Sequence, residues 1–172
     1  LEGIARKIQL NKTDHDKAVD RYYRIADYLS GMHTEIIGLN PVVYPQGSFR
    51  TRSVISSYRD EDYDIYLILE LLIDRAYDPE AVINFISDVM EQGKGKLQFD
   101  RVEKKRRCVS LKYQGMHLDI TPAVLIDPNN LRLVSIFDTN PERPDHVLAN
   151  PEGFARWFDQ AVLPYETRSK FT

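Results

Sequence analysis

The sequence has few features of secreted or membrane proteins. Its 172 residues include one cysteine, Cys108, so no internal disulfide can form, and we expect a reducing compartment and a packing role for this thiol. The longest apolar stretch, residues 65–73, is interrupted by Glu70 and is far shorter than the roughly 20 residues of a bilayer span. The first residues lack the order of a signal peptide. We therefore expect a cytoplasmic protein with no membrane partner.

An excess of positive charge is also missing. The chain has 23 Lys and Arg residues against 26 Asp and Glu residues, a net charge of −3 at pH 7. Proteins that bind long duplex nucleic acid usually carry a large basic surface, so the sequence gives no strong evidence for such a partner. A small anionic ligand bound at a local site is compatible with this net charge. The 42% hydrophobic content and the length favour one globular domain with a substantial core.

The most informative pattern is a glycine-serine pair followed by two acids. Gly47-Ser48 precedes Asp62-Tyr63-Asp64, and the acids open the most apolar stretch of the chain. Glycine lets the backbone approach a phosphate closely, and the amide and hydroxyl of Ser48 can donate to phosphate oxygens. Enzymes that attack a triphosphate usually hold two divalent metals, and Mg²⁺ prefers carboxylate oxygens. The pattern predicts a nucleotidyltransferase site.

Hydrophobic periodicity and turn residues predict alternating helices and strands. The first predicted helix is 13–38, with Thr13 as its cap. The other predicted helices are 49–55, 78–91 and one that begins at 150. The predicted strands are 42–44, 61–71, 97–102, 108–113, 116–121 and, less clearly, 131–136. Gly93 and Gly95 are expected to end the third helix, and residues 56–60 and 137–149 to form loops.

A third acid lies within a predicted strand. From His117 to Thr121 polar and apolar residues alternate, so Asp119 shares a face with His117 while Leu118 and Ile120 pack inward. Strand pairing would bring Asp119 beside Asp62 and Asp64, where it would act as a third metal ligand. Each motif alone is weak evidence, but together they occur in the order and context that the chemistry requires.

Four segments resemble the bacterial cGAS/DncV-like nucleotidyltransferases, which are the second-messenger oligonucleotide synthases of CBASS antiphage defence in the DNA polymerase β-like superfamily. The segments are Tyr44–Arg50, Asp60–Ile65, His117–Ala123 and Asn150–Phe158. The resemblance implies an α+β fold in which a mixed central sheet is flanked by helices and followed by a second, helical lobe. It implies a nucleotidyltransferase domain over residues 1–172, with an N-terminal helix at 13–38, a core at 40–137 and a helical linker to the second lobe from 150. The chain ends where that lobe should begin, so we expect an N-terminal fragment.

The resemblance also implies an activity and its residues. Such enzymes join nucleoside triphosphates into cyclic di- or trinucleotides and release pyrophosphate. Gly47 and Ser48 would hold the donor triphosphate. Asp62 and Asp64 would bind two Mg²⁺ ions, with Mn²⁺ as a substitute, and Asp119 would bind the metal at the acceptor hydroxyl. Regulatory or effector proteins of CBASS are the expected protein partners.

Residues around these motifs have two interpretations each. Gln46, Arg50 and Arg52 flank the phosphate loop, and either arginine could bind a triphosphate or form a surface ion pair. The basic run 104–107 is interpreted as a solvated hairpin turn in preference to a nucleotide or nucleic-acid contact. His117 either orients substrate or is a structural histidine, and we favour the latter. Phe154, Trp157 and Phe158 are interpreted as core or interlobe packing in preference to base stacking.

Two other functions stay open from the sequence alone. The nucleotidyl group could be transferred to a different acceptor, such as a tRNA end, an antibiotic or a protein. Alternatively, the domain could bind nucleotides without catalysis, although a pure binding module has no need for three metal ligands.

Overall fold

One mixed sheet of seven strands forms the centre of the structure, a computed structural model that describes residues 11–31, 34–53, 62–130, 132–140, 142 and 145–169. The strands are β1 (Val42–Gln46), β2 (Tyr63–Glu70), β3 (Arg101–Lys104), β4 (Val109–Tyr113), β5 (Met116–Asp127), β6 (Leu133–Asp138) and β7 (Asp145–Ala149). The helices are α1 (Lys12–Leu29), α2 (Gly47–Arg50), α3 (Pro79–Leu97) and α4 (Pro151–Ser169), with a 3-10 helix at Glu35–Leu39.

The long strand β5 organises the sheet. The strand order is β1-β2-β5-β4-β3, and β6 and β7 extend the sheet from β5. The pair β2–β5 is parallel and the other pairs are antiparallel. Ala123 has Glu70 on one side and Ile136 on the other, so β6 lies on the same side of β5 as β4. Pro122 lies between the segments that pair with β4 and β6, where its missing N–H costs no ladder bond.

The two faces of the sheet have different roles. One face carries the main core. There, α1 and α3 pack against Ile65, Leu67 and Leu69 of β2 and against Leu118 and Ile120 of β5. Side chains at the intervening positions lie on the opposite face, where Ile68 packs against β6. Asp64 and Asp119 belong to that second face by the same alternation. Within the described ranges, no helix combines the length and apolarity needed to cross a bilayer.

Two helix starts form as their sequences predict. The Asp78 carboxylate accepts the backbone N–H of Ala81 at 2.9 Å, with Pro79 in the first turn of α3. Asn150 caps α4 in the same way, because its Oδ1 accepts the N–H of Gly153 at 2.8 Å. Both helices therefore begin within a residue of the predicted position.

The first two helices differ from their predicted bounds. The helix predicted at 13–38 begins at Lys12, capped by Asn11 instead of Thr13, and ends at Leu29. A separate 3-10 helix follows it. The helix predicted at 49–55 begins earlier, at Gly47, and ends at Arg50. Residues 54–61, which include the predicted loop 56–60, lie outside the described residues.

Three further predictions need correction. α3 continues through Gly93 and Gly95 to Leu97, because Gly93 packs against the Tyr28 ring and Gln98 ends the helix with φ 60°. The strand predicted at 97–102 therefore begins later, at Arg101, and ends at Lys104 as β3. The predicted loop at 137–149 contains β7, which pairs with β6.

Candidate active site

The three acids predicted to bind metal come from neighbouring parallel strands. Asp62 lies directly before β2, Asp64 is its second residue, and Asp119 lies within β5. The register places Asp64 opposite His117 and Tyr66 opposite Asp119. Because alternate residues of a strand point to the same face, these four side chains lie together on the face away from the main core.

His117 connects the first two acids. Its Nε2 lies 2.8 Å from Oδ2 of Asp62, and its Nδ1 lies 3.2 Å from Oδ1 of Asp64. Nζ of Lys112, the cross-strand neighbour of His117, lies 3.0 Å from the same Nδ1. Nε2 of His117 thus faces Asp62, and Nδ1 lies between the Asp64 carboxylate and the Lys112 ammonium. The histidine thus belongs to the acidic site itself.

Asp119 is buried, with 5% of its surface exposed, and is paired with a lysine. Nζ of Lys105 lies 2.9 and 3.1 Å from the two carboxylate oxygens. Burial lowers the pKa of Lys105, but the hydrogen bond and charge of Asp119 outweigh it and the net pKa is raised. The Cys108 thiol donates to Asp119 at 3.5 Å, and burial and then the Asp119 charge raise the pKa of Cys108 to about 12. The thiol therefore stays protonated at neutral pH.

The basic run 104–107 is exposed, which confirms its interpretation as a solvated hairpin turn, although three of its side chains also contact acids of the sheet. It forms the β3–β4 hairpin turn. Arg106 donates from Nε and Nη2 to the Asp138 carboxylate at 2.5 and 2.7 Å, and Arg107 donates from Nε at 2.8 Å. These bonds attach the hairpin to the end of β6 and direct Lys105 towards Asp119.

The glycine-serine loop lies beside the acids. Gly47 is the first residue of α2 and has a φ of +62°, a backbone conformation that glycine adopts readily and other residues disfavour. A Cβ at this position would lie 3.5 Å from Cδ2 of Tyr66, so the loop backbone passes close to the Tyr66 ring. Gln46 pairs with Tyr66 across β1 and β2. The structure thus brings Gln46, Gly47 and Ser48 to the strand that carries Asp64.

The two arginines of the loop have different surroundings. Arg50 contacts Glu152 and Asp159 of α4, each at 3.4 Å. These two ion pairs link α2 to α4. They correspond to the surface ion pair that the sequence offered as one of two interpretations of Arg50. Arg52 is exposed and has a φ of 56°. Neither guanidinium is among the groups that contact the three acids.

Tyr66, Lys105 and Lys112 were not predicted as site residues. Burial, followed by the charges of Asp64 and Asp119, raises the pKa of the Tyr66 phenol. The alternation in β2 could have identified Tyr66, because it shares a face with Asp64. No local signal could have identified Lys105, whereas the two-residue turn between β4 and β5 sets the register that places Lys112 opposite His117.

The carboxylates now face cationic and polar side chains. Among the described residues, no three His, Cys, Asp or Glu side chains are arranged to hold a metal ion together. The oxygens of the three carboxylates are nevertheless ligands of the hard type that Mg²⁺ prefers. The site consists of paired carboxylates beside a backbone loop suited to anions.

Several known proteins resemble this chain in sequence and in fold. Residues 41–122 match the family model described as cyclic GMP-AMP synthase DncV-like, nucleotidyltransferase domain. A c-di-GMP synthase of Roseivirga ehrenbergii is 28% identical over 160 residues, covering 92% of this chain and 42% of the relative. The cyclic dinucleotide synthase CdnG of Bradyrhizobium diazoefficiens is 32% identical over 173 residues, covering 98% of this chain and 40% of the relative. The chain thus spans only about two fifths of the length of these curated relatives.

Solved structures confirm the predicted fold. The Bradyrhizobium diazoefficiens CD-NTase CdnG, solved in complex with GTP, matches with a TM-score of 0.72 and 29% identity over 89% of this chain and 44% of that chain. DncV cyclic AMP-GMP synthase of Vibrio cholerae matches with a TM-score of 0.69 over 92% of this chain and 58% of that chain. Its 13% identity supports the shared polymerase β-like fold alone. The matched domain, the relatives and the fold together support a cGAS/DncV-like nucleotidyltransferase.

Proposed function

We propose that the protein joins nucleoside triphosphates into a cyclic di- or trinucleotide, with release of pyrophosphate. The observation that carries the proposal is the placement of Asp64 and Asp119 on one face of neighbouring strands, next to Tyr66, which the Gly47 loop approaches. The printed names of the curated relatives, c-di-GMP synthase and cyclic dinucleotide synthase, support the same reaction class. The expected setting is bacterial antiphage defence, with regulatory or effector proteins as partners.

The proposed cofactor is a pair of Mg²⁺ ions, for which Mn²⁺ can substitute. The donor type fits, because Asp64 and Asp119 lie on one face of neighbouring strands with Asp62 directly before β2, and carboxylate oxygens are the hard ligands that Mg²⁺ prefers. The groups now facing these oxygens, His117 and Lys105, show that the pocket already attracts positive charge and N–H donors. Bound metal would supply charge neutralisation at the triphosphate.

The proposed roles follow the positions of the side chains. The backbone at Gly47 and Ser48 holds the donor triphosphate, with Gln46 and Arg52 at the edge of the loop. Asp62 and Asp64 would hold both metals, and Asp119 would hold the metal at the acceptor hydroxyl. That hydroxyl attacks the α-phosphorus, a new P–O bond forms, the bond to the leaving pyrophosphate breaks, and the hydroxyl proton passes to solvent water. Arg50 positions α4 against α2 through its ion pairs.

The test is a turnover assay on the full-length polypeptide that contains this domain. It is incubated with all four ribonucleoside triphosphates and Mg²⁺ or Mn²⁺, pyrophosphate is quantified, and the products are resolved by mass spectrometry. We expect a cyclic product. A linear or acceptor-linked product would instead indicate transfer to another acceptor, and triphosphate binding without pyrophosphate release would indicate a binding module.

Substitution of one acid tests the assignment of the site. Asp64→Asn should reduce turnover by more than about 100-fold, which exceeds the usual effect of altering a neighbour of a metal ligand. Circular dichroism and thermal melting should show an intact fold, because Asp64 is not part of the main core. The exposed Asp88 of α3 provides the control, and Asp88→Asn should retain activity. Turnover retained in Asp64→Asn would reject the metal assignment.

A further inference from the structure

We propose that Lys105 is a tethered counter-ion that competes with a divalent metal for the Asp119 carboxylate. This inference depends on the proposed function, since it assumes that Asp119 binds metal. It adds a residue that sets how readily the site accepts metal before a nucleotide arrives. The four-residue basic run thus contains one lysine with a different task from its neighbours.

The position of the ammonium group is the first argument. Nζ of Lys105 contacts both oxygens of Asp119, at 2.9 and 3.1 Å, so each oxygen already accepts from a cation. A Mg²⁺ ion needs a carboxylate oxygen at about 2.1 Å, which would place it within a few ångströms of the ammonium charge. The carboxylate is almost fully buried, so solvent screens this repulsion poorly. Lysine and metal therefore exclude one another at Asp119.

The attachment of the hairpin is the second argument. The backbone N–H of Lys105 donates to the carbonyl of Cys108 at 2.9 Å, and the Arg106 carbonyl accepts from the N–H of Thr139 at 3.1 Å. Arg106 and Arg107 are both bonded to Asp138. The backbone that carries Lys105 is thus held to the sheet on both sides of the turn, which keeps the ammonium close to Asp119.

The freedom of the side chain is the third argument. The Lys105 side chain is 40% exposed, whereas that of Asp119 is 7% exposed. A four-carbon stem can rotate the ammonium out of the pocket without moving the hairpin, while the carboxylate stays within the sheet. The lysine can therefore leave when a metal arrives, and a triphosphate beside the site would offer it a new anionic partner.

The experiment measures metal binding alone, with no nucleotide and no turnover. Mn²⁺ is titrated into the wild-type protein and Lys105→Met, and free Mn²⁺ is followed by electron paramagnetic resonance. We expect the variant to bind Mn²⁺ about tenfold more tightly, as removal of one opposing unit charge close to the metal predicts. The Mn²⁺-induced rise in melting temperature should also be larger in this variant.

The neighbouring lysine provides a matched control. Nζ of Lys104 donates to Oδ1 of Asn84 at 2.8 Å, away from the acids. Lys104→Met removes the same charge from the same hairpin, so it corrects for the overall change in net charge. Its Mn²⁺ affinity should stay within about twofold of wild type, since an exposed charge farther away is screened. An equal gain in both variants would overturn the proposal.

Other variants separate the role of charge from that of structure. Lys105→Gln keeps a hydrogen-bond donor without the charge and should reproduce the gain; a gain limited to Lys105→Met would overturn the proposal. Unchanged or weaker Mn²⁺ binding in Lys105→Met, while Asp119→Asn weakens it, would make Lys105 a structural partner and leave the metal site intact. If Asp64→Asn and Asp119→Asn leave Mn²⁺ binding unaltered, the metal site itself is wrong and the proposed function loses its basis.

Discussion

Asp138 illustrates how one residue fixes a distant part of the site. It ends β6, is 3% exposed, and receives hydrogen bonds from Arg106, Arg107 and the N–H of Asn140. The Arg106 hydrogen bond is the main cause that lowers the pKa of Asp138 to about 2, against the opposing effect of burial. Because these bonds hold the hairpin that carries Lys105, Asp138 acts on the site without touching the acids.

Asp138→Asn should therefore lower the stability of the fold. We expect a loss of about 1–3 kcal/mol in the free energy of unfolding at pH 7, the usual effect of losing hydrogen bonds to a charged group. A depressed pKa stabilises the fold above the ordinary carboxyl pKa, so the difference between wild type and variant should be complete above about pH 4. It should shrink as the pH falls towards 2, the pKa of the folded state.

Urea denaturation from pH 7 to pH 2.5 measures this difference. Asp88→Asn again serves as the control, because Asp88 is exposed on α3. A difference between wild type and Asp138→Asn that is independent of pH would contradict the ion-pair interpretation.

At the residue level, the face of each acid could be predicted, but its neighbours could not. The alternation around Asp64 and Asp119 is visible in a few residues of sequence, and both lie on the face that it predicts. The contact between Lys105 and Asp119 depends on the hairpin lying against β6, which brings together residues from different parts of the chain. A basic run without that context resembles any solvated turn.

At the level of elements, α3 shows why glycines mislead in sequence. Gly93 is buried, and a Cβ built there would lie 2.7 Å from Cζ of Tyr28. The Tyr28 hydroxyl donates to the carbonyl of Val89 at 3.0 Å, so α1 and α3 approach closely at this point. Gly95 has no atom within 4 Å of its would-be Cβ. One glycine therefore serves helix packing, while the other has no such contact.

This contrast predicts opposite effects for two alanine substitutions. Gly93→Ala should destabilise the protein by about 1–3 kcal/mol, because the methyl group forces the Tyr28 ring to move. Gly95→Ala should stabilise it by up to about 1 kcal/mol, since alanine favours a helix interior. Thermal and urea unfolding of both variants test the pair, and equal effects of the two substitutions would contradict the packing role of Gly93.

The type of each element, helix or strand, was easier to predict than its first and last residues. Caps at Asp78 and Asn150 are local signals, and both helices begin there. The passage of α3 through Gly93 involves packing against Tyr28, a residue of another helix, and β7 pairs with the edge of β6. Bounds set by contacts that are distant in sequence are not encoded locally.

At the level of the whole molecule, α4 lies beside α2, β1 and β6 with an aromatic face open to solvent. Ala155 is 1% exposed, whereas Phe154 and Trp157 are 53% and 61% exposed, with ring centroids 5.7 Å apart. The prediction that Phe154 and Trp157 pack in the domain core is therefore wrong. Interlobe packing stays a prediction.

Trp157 is the one tryptophan of the sequence, so its fluorescence reports on this face. In the 172-residue chain its emission should resemble that of tryptophan in water and should be quenched readily by acrylamide. Trp157→Ala should change the free energy of unfolding by no more than about 0.5 kcal/mol, as expected for an exposed side chain. Ala155→Glu should be strongly destabilising by comparison, because it buries a charge. A blue-shifted, unquenched emission would show that another surface covers this face.

The parallel pairing of β2 with β5 has a consequence for how the protein folds. The hairpins β4–β5 and β5–β6 join segments that follow each other along the chain, whereas α3, β3 and β4 intervene between β2 and β5. Contacts between distant segments form late, because closing a long loop costs chain entropy before any contact compensates it. During synthesis, Asp62 and Asp64 therefore leave the ribosome well before their partner strand exists. We therefore expect the contacts between the acids of β2 and the side chains of β5 to form later in folding than the β4–β5 hairpin.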